Sequence, residues 1–270
     1  LLIGSEGTLG IITKAVLKLA PKPITYATAM VAVPKLDDAL TLLNRVQDAT
    51  GGAVEAFEYM PRHYIDVHMA RVDGAREPFD VPYDVNIMIE VATTTDTDIT
   101  DALQTIMADM MNSGAVLDAV VAQNETQRRA MWGRREAAAE LTFWRKPIVD
   151  TDVALPLDLV GSFLEQANAK VVEADSGAEP FYIAHLGDGN VHYGVYPSSD
   201  DAALKDKIVE IIEDVVESLG GSFSAEHGVG LSKLNTMRRR KDPVALDMMR
   251  KIKGVLDPNG ILNPGKLIPD

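Results

Sequence analysis

Five histidines occur in the 270 residues, and three of them sit beside glycine-rich turns with acidic neighbours. The stretch 181–197, FYIAHLGDGNVHYGVYP, places two aromatic and β-branched runs around Gly187, Asp188, Gly189 and Asn190, which is the pattern of a β-hairpin. If Asp188 and Gly189 are the centre of a two-residue type I′ turn, His185 stands directly opposite His192. Their Cβ atoms would then be roughly 4.5–5.5 Å apart on one sheet face, within reach of a single cation. The later run GGSFSAEHGVG reads as a strand over 222–226 ending in Glu226 and His227. Successive strand residues point to opposite sides, so Glu226 is assigned to the metal and His227 is left to address a substrate. Two imidazoles and a carboxylate with an open position suit zinc, and manganese or iron accept the same donors. The competing reading makes these histidines satisfied core groups or plain substrate contacts. His63 and His68, five residues apart on one predicted helix, do not share a face and are read as non-functional.

The chain has no cysteine, so a metal would have to be held by histidine and carboxylate. A formal charge of -14 argues against nucleic acid, which needs a basic face. No apolar run approaches the roughly 20 residues of a spanning helix, and LLIGSEGTLGIIT has no signal-peptide pattern. Starting at Leu1, the chain reads as a fragment of something longer.

Positioning elements follow from periodicity. Strands are predicted over 24–33, 54–59, 85–93, 115–122, 148–155, 181–186, 191–196 and 222–226. Helices are predicted over 36–50, 99–112, 125–145, 157–174, 202–219 and 243–255. The expected fold is α+β, with ferredoxin-like halves forming a mostly antiparallel sheet covered by helices. Residues 1–22 and the tail DPNGILNPGKLIPD, rich in proline and glycine, look like chain that leaves the domain.

Four ordered motifs, GSEGTLGIIT, HLGDGNVH, EHGVG and NPGKLI, together resemble the FAD-linked oxidases with a p-cresol-methylhydroxylase-type flavin domain. Within that group the likeness is to D-lactate, glycolate and D-2-hydroxyglutarate dehydrogenases. The resemblance implies that 1–22 are a C-terminal remnant of the FAD-binding domain, 23–255 the substrate-binding cap and 256–270 a tail returning to the flavin domain. It implies FAD, held mostly by the upstream half, with Ser5, Glu6, Gly7, Gly10 and Asn263 on the flavin side. It also implies a divalent metal at His185, His192 and Glu226, and His227 as the base that takes the hydroxyl proton of a 2-hydroxy acid. The helix ETQRRAMWGRREAAAEL offers Arg134 and Arg135 as a carboxylate clamp, and the family's tryptophan followed by Arg-Glu selects Arg135; Asn190 is a further substrate contact.

Relatives of the D-2-hydroxyglutarate type carry a lysine where this sequence has Asp150. A carboxylate there would repel a second substrate carboxylate, so lactate or glycolate is favoured. Alternatives are a subunit of a glycolate oxidase complex and a non-catalytic metal-binding or interaction module. The expected partners are the substrate and the upstream FAD-binding domain, with a homodimer also expected. The expected location is cytoplasmic, peripheral to the inner membrane, and the electron acceptor stays open.

Overall fold

A computed structural model describes residues 1–95 and 98–269, so Asp270 of the tail lies outside the described residues. Seven strands form one sheet in the order β4-β1-β3-β2-β6-β7-β5. They are β1 (Thr25–Ala32), β2 (Val54–Pro61), β3 (Val85–Thr93), β4 (Asp118–Val121), β5 (Val149–Ala154), β6 (Glu179–His185) and β7 (Asn190–Tyr196). Every adjacent pair is antiparallel. The expectation of a mostly antiparallel α+β sheet therefore holds.

The first half is ferredoxin-like, with α1 (Asp38–Thr50) joining β1 to β2 and α3 (Ile99–Asn112) joining β3 to β4 in the spatial order 4-1-3-2. The second half repeats this with β5, α6 (Val160–Ala174), β6, β7 and α7 (Ala202–Ser218). Among the described residues its fourth strand is missing. The predicted strand 222–226 lies where that strand would be, yet it forms only one bridge, Ala154↔Ser222, and one further bond from Ala225 N–H to Asp152 O at 3.2 Å. Its next amides are taken by the Asp152 side chain instead of by β5, so the segment curls away from the sheet. Within the sheet, β2 and β6 pair at two positions, Glu58↔His185 and Tyr59↔Ala184.

Strand alternation sends one set of side chains to each face. On one face Val31, Ile89, Val91, Val191 and Val195 pack with Leu42 of α1, Leu103 of α3, Phe163 of α6 and Ile212 of α7, all 1% exposed or less. Each such burial stabilises the fold by roughly 1.5–3 kcal/mol. On the other face Met30, Met88 and Phe181 are covered by Tyr64 and Ile65 of α2 (Arg62–Arg71), Met131 of α4 (Glu125–Glu136) and Leu141 of α5 (Ala138–Thr142). That cover takes in Tyr196 at the end of β7, and the candidate site lies on the same face toward the other end of that strand.

The helix predicted over 125–145 is two helices, α4 and α5, and β4 is shorter than the predicted strand 115–122. The sequence reading missed α8 (Leu234–Arg240), whose Arg239 and Arg240 both bind the buried Glu213 of α7. A final helix, α9 (Pro243–Leu256), precedes the tail. Residues 11–22 are exposed and have no regular structure.

Candidate active site

The hairpin differs from the predicted two-residue turn. His185 pairs with Asn190, and His192 pairs with Ile183, so four residues, 186–189, form the loop. The longer turn is fastened at both sides: Gly187 N–H donates to Phe57 O of β2 at 3.1 Å, and Leu155 N–H, just after β5, donates to Gly189 O at 3.0 Å. Only glycine fits at 189, where φ is +78° and an added Cβ would lie 2.1 Å from Leu155 O. The two imidazoles are thus diagonal neighbours rather than a direct pair. They still share a face, with ring centroids 5.2 Å apart.

A residue that the sequence reading passed over organises the other half of the site. Asp152 on β5 stands directly opposite His192 on β7. Its Oδ2 accepts the backbone N–H of Ala225 at 3.2 Å, Glu226 at 3.1 Å and His227 at 2.9 Å, and it also accepts Lys233 Nζ at 3.2 Å. Consecutive amides converging on one oxygen fix the curl that delivers Glu226 and His227. Glu226 Oε1 then lies 3.3 Å from both His192 Nε2 and His227 Nε2. Asp152, His192, Glu226 and His227 each offer a ligand atom within 4.8 Å of the others.

His185 is outside that group, although its ring stands 5.2 Å from that of His192. Its ring is held by Glu58, with Nδ1 3.0 Å from Oε1, and by Arg135, whose Nη2 is 3.0 Å from Nε2. Glu58 also escaped the sequence reading. The available signal for both residues was an acid inside an apolar strand: Glu58 in VEAFEYMP, and Asp152 on the same strand face as Asp150 in VDTDVA.

Electrostatics divide the two hairpin histidines. The Glu58 hydrogen bond raises the pKa of His185, against burial, whereas burial together with nearby His185 and Arg135 lowers that of His192. A neutral His192 keeps a lone pair free for a cation. Burial pushes the Asp152 carboxyl upward, but the His227 N–H and Lys233 outweigh it and leave the group below its ordinary range. The side chains of His227 and Glu226 are 54% and 48% exposed, so the constellation opens outward. Imidazole and carboxylate donors without any thiol fit a zinc-, manganese- or iron-type ion.

Arg135 is buried and aimed at the site, with Nε–H donated to Glu58 Oε2 at 2.6 Å. Arg134 points elsewhere, to Arg76 O. Asn190 lies on the same sheet face as the two hairpin histidines, and its buried Oδ1 has no hydrogen-bond partner among the described residues. Asp150 is exposed and faces Gly194 across the strand pair.

The flavin-side candidates have their side chains engaged within the chain. Ser5 Oγ donates to Leu2 O, Glu6 accepts the N–H of Val229 and Gly230 at 2.7 and 2.8 Å, and Asn263 Nδ2 donates to Glu6 O. Gly7 has φ +74°, and Gly10 packs near Leu2. The start of the chain, the turn after His227 and the tail thereby form one cluster. His63 and His68 lie on α2, apart from the site: His63 Nε2 accepts the N–H of Tyr182, and His68 is buried.

Residues 22–267 match the family described as FAD linked oxidases, C-terminal domain. The chain is 31% identical to a D-2-hydroxyglutarate dehydrogenase of Stutzerimonas stutzeri, covering 99% of this chain and 58% of that protein. It is 30% identical to the mitochondrial D-2-hydroxyglutarate dehydrogenase of Bos taurus, covering 100% of this chain and 49% of that protein. The chain thus spans about half the length of these relatives. Among solved structures, an alkyldihydroxyacetonephosphate synthase matches with a TM-score of 0.61 at 18% identity, covering 97% of this chain and 48% of that one. A p-cresol methylhydroxylase with substrate bound matches with a TM-score of 0.59 at 14% identity, covering 93% and 54%. At these identities the structural likeness concerns the fold alone.

Proposed function

The chain belongs to the FAD linked oxidases, as their C-terminal domain, and from that premise we propose that it forms the substrate side of an FAD-dependent dehydrogenase of small 2-hydroxy acids. The observation that carries this reading is Glu226 Oε1 standing 3.3 Å from both His192 Nε2 and His227 Nε2, on a face whose border holds Arg135. When bound, FAD supplies a hydride acceptor, and a divalent ion held by His185, His192 and Glu226 supplies Lewis acidity toward the substrate hydroxyl.

The chain's own groups do the rest. Arg135 receives the substrate carboxylate through its terminal amino groups, since Glu58 already occupies Nε. Asn190, on the same sheet face as the hairpin histidines, is the further substrate contact. His227 removes the hydroxyl proton; its exposed ring is reachable, and its backbone is fixed by Asp152. Residues 1–22 and the tail 256–270 belong beside the FAD-binding portion, which supplies FAD with most of its contacts. Since the side chains of Ser5, Glu6 and Asn263 are spent internally, backbone groups around Gly7 and Gly10 are what this chain offers the cofactor.

Asp150 supports a monocarboxylate such as D-lactate or glycolate over D-2-hydroxyglutarate, because its exposed carboxylate on the Asp152 face would repel a second acidic group. No described helix is long and apolar enough to cross a membrane.

The test uses the flavin-loaded protein, with metal analysis and single-turnover flavin reduction by D-lactate, glycolate and D-2-hydroxyglutarate. His227→Asn should keep the metal and lose roughly 100-fold or more in reduction rate, whereas His192→Ala and Glu226→Ala should lose the metal. Loss of metal in His227→Asn would reassign that residue, and the absence of reduction by any 2-hydroxy acid would defeat the reading.

A further inference from the structure

Glu58 stands where the two halves of the sheet meet the site. It lies on β2 and faces His185 on β6, in one of the two residue pairs of the β2–β6 ladder. Its side chain is 7% exposed, and both carboxylate oxygens are engaged. Oε1 is 3.0 Å from His185 Nδ1, and Oε2 accepts Arg135 Nε–H at 2.6 Å. Arg135 Nη2 lies 3.0 Å from His185 Nε2 and 3.3 Å from Nδ1, beside the ring rather than in line with either nitrogen. A carboxylate only accepts, so the ring proton of neutral His185 sits on Nδ1 and points at Glu58.

We propose that Glu58 is a positioning residue that fixes the tautomer of His185 and the direction of the Arg135 fork together. The β2–β6 ladder fixes the backbone at His185, but the rotation of a half-buried imidazole is not determined by backbone pairing. One buried carboxylate with both oxygens committed removes that freedom from two side chains at once. A buried carboxylate without partners would cost several kcal/mol, so the three groups form a set in which each needs the others. The consequence for a cation rests on the assignment of His185 to the metal made above; the consequence for the ring and the guanidinium does not.

The test combines long-range nitrogen-proton spectra of the histidine rings at about pH 8.5, where imidazole is neutral, with calorimetric titration of zinc alone. Wild type, Glu58→Gln and Glu58→Ala are compared, with circular dichroism to verify folding. Wild type should show His185 as a single Nδ1–H tautomer. Glutamine keeps the shape but offers one oxygen for two donors, so the ring should become a tautomer mixture, and zinc affinity should fall on the order of 10–100-fold. A folded Glu58→Gln protein with wild-type tautomer and zinc affinity would overturn the proposal, as would the Nε2–H tautomer in wild type. If Glu58→Ala fails to fold, the glutamine variant decides alone. If wild type binds no zinc, the metal assignment falls while the ring spectra still judge Glu58.

Discussion

Asp152 Oδ2 and the backbone N–H of His227 are 2.9 Å apart, and the same oxygen also takes the amides of Ala225 and Glu226. Through this one atom a strand in the middle of the chain determines where the last functional pair, 75 positions downstream, is displayed. The fourth strand of the second ferredoxin-like half is given up at the same place, since amides bound to a side chain are unavailable to a sheet edge.

Replacing Asp152 should therefore release the 225–227 curl while leaving the core intact. Hydrogen bonds to a charged acceptor contribute about 1.5–3 kcal/mol each, so in Asp152→Asn the exchange of the Glu226 and His227 amides should accelerate by roughly 10-fold or more. Amide hydrogen exchange measures this. Unchanged protection at both positions would show that the carboxylate does not hold the curl.

Gly189→Ala should be among the most damaging single-methyl changes available. The new Cβ would sit 2.1 Å from Leu155 O at a backbone φ of +78°, and the contact is with main chain that cannot rotate away. A loss of at least about 2 kcal/mol in denaturant unfolding is expected, with the hairpin turn detached from β5.

His63 gives stability a pH dependence away from the site. Burial holds its pKa near 4, and its neutral Nε2 accepts the N–H of Tyr182. The unfolded chain takes up that proton from about pH 6.5 downward, while the folded chain resists it. Stability is therefore complete above that value and is lost as pH falls toward 4. Between about pH 7.5 and pH 5 the loss should be on the order of 2 kcal/mol, and the slope should flatten in His63→Gln. Unfolding curves at the two pH values supply the comparison, and an equal slope in both proteins would sink the claim.

Asp150→Lys should turn the substrate preference. A cation on the Asp152 face would attract a distal carboxylate, so the ratio of D-2-hydroxyglutarate to D-lactate turnover should rise by roughly 10-fold or more. Flavin reduction under competition reads the ratio, and an unchanged value would place Asp150 outside substrate reach.

Much of this protein was legible in the residues themselves. The strand 85–93 and the helix 99–112 coincide with β3 and α3, because a nearly continuous apolar run of strand length and a long run with a 3.6 period leave the chain little choice of element. The glycine-flanked histidines and the EHG turn named the side chains that could do chemistry, since few residue types bind a cation or move a proton. Register and partnership were not legible. The hairpin loop is four residues rather than two because Phe57 and Leu155, distant in sequence, hold its ends. The segment 222–226 has a strand's composition, yet a carboxylate on the neighbouring strand captures its amides. Local sequence sets what a segment can form and which groups it carries. Which hydrogen bonds it then makes depends on donors and acceptors brought alongside from elsewhere in the chain, and only the assembled sheet puts Glu58 against His185 and Asp152 beneath His227.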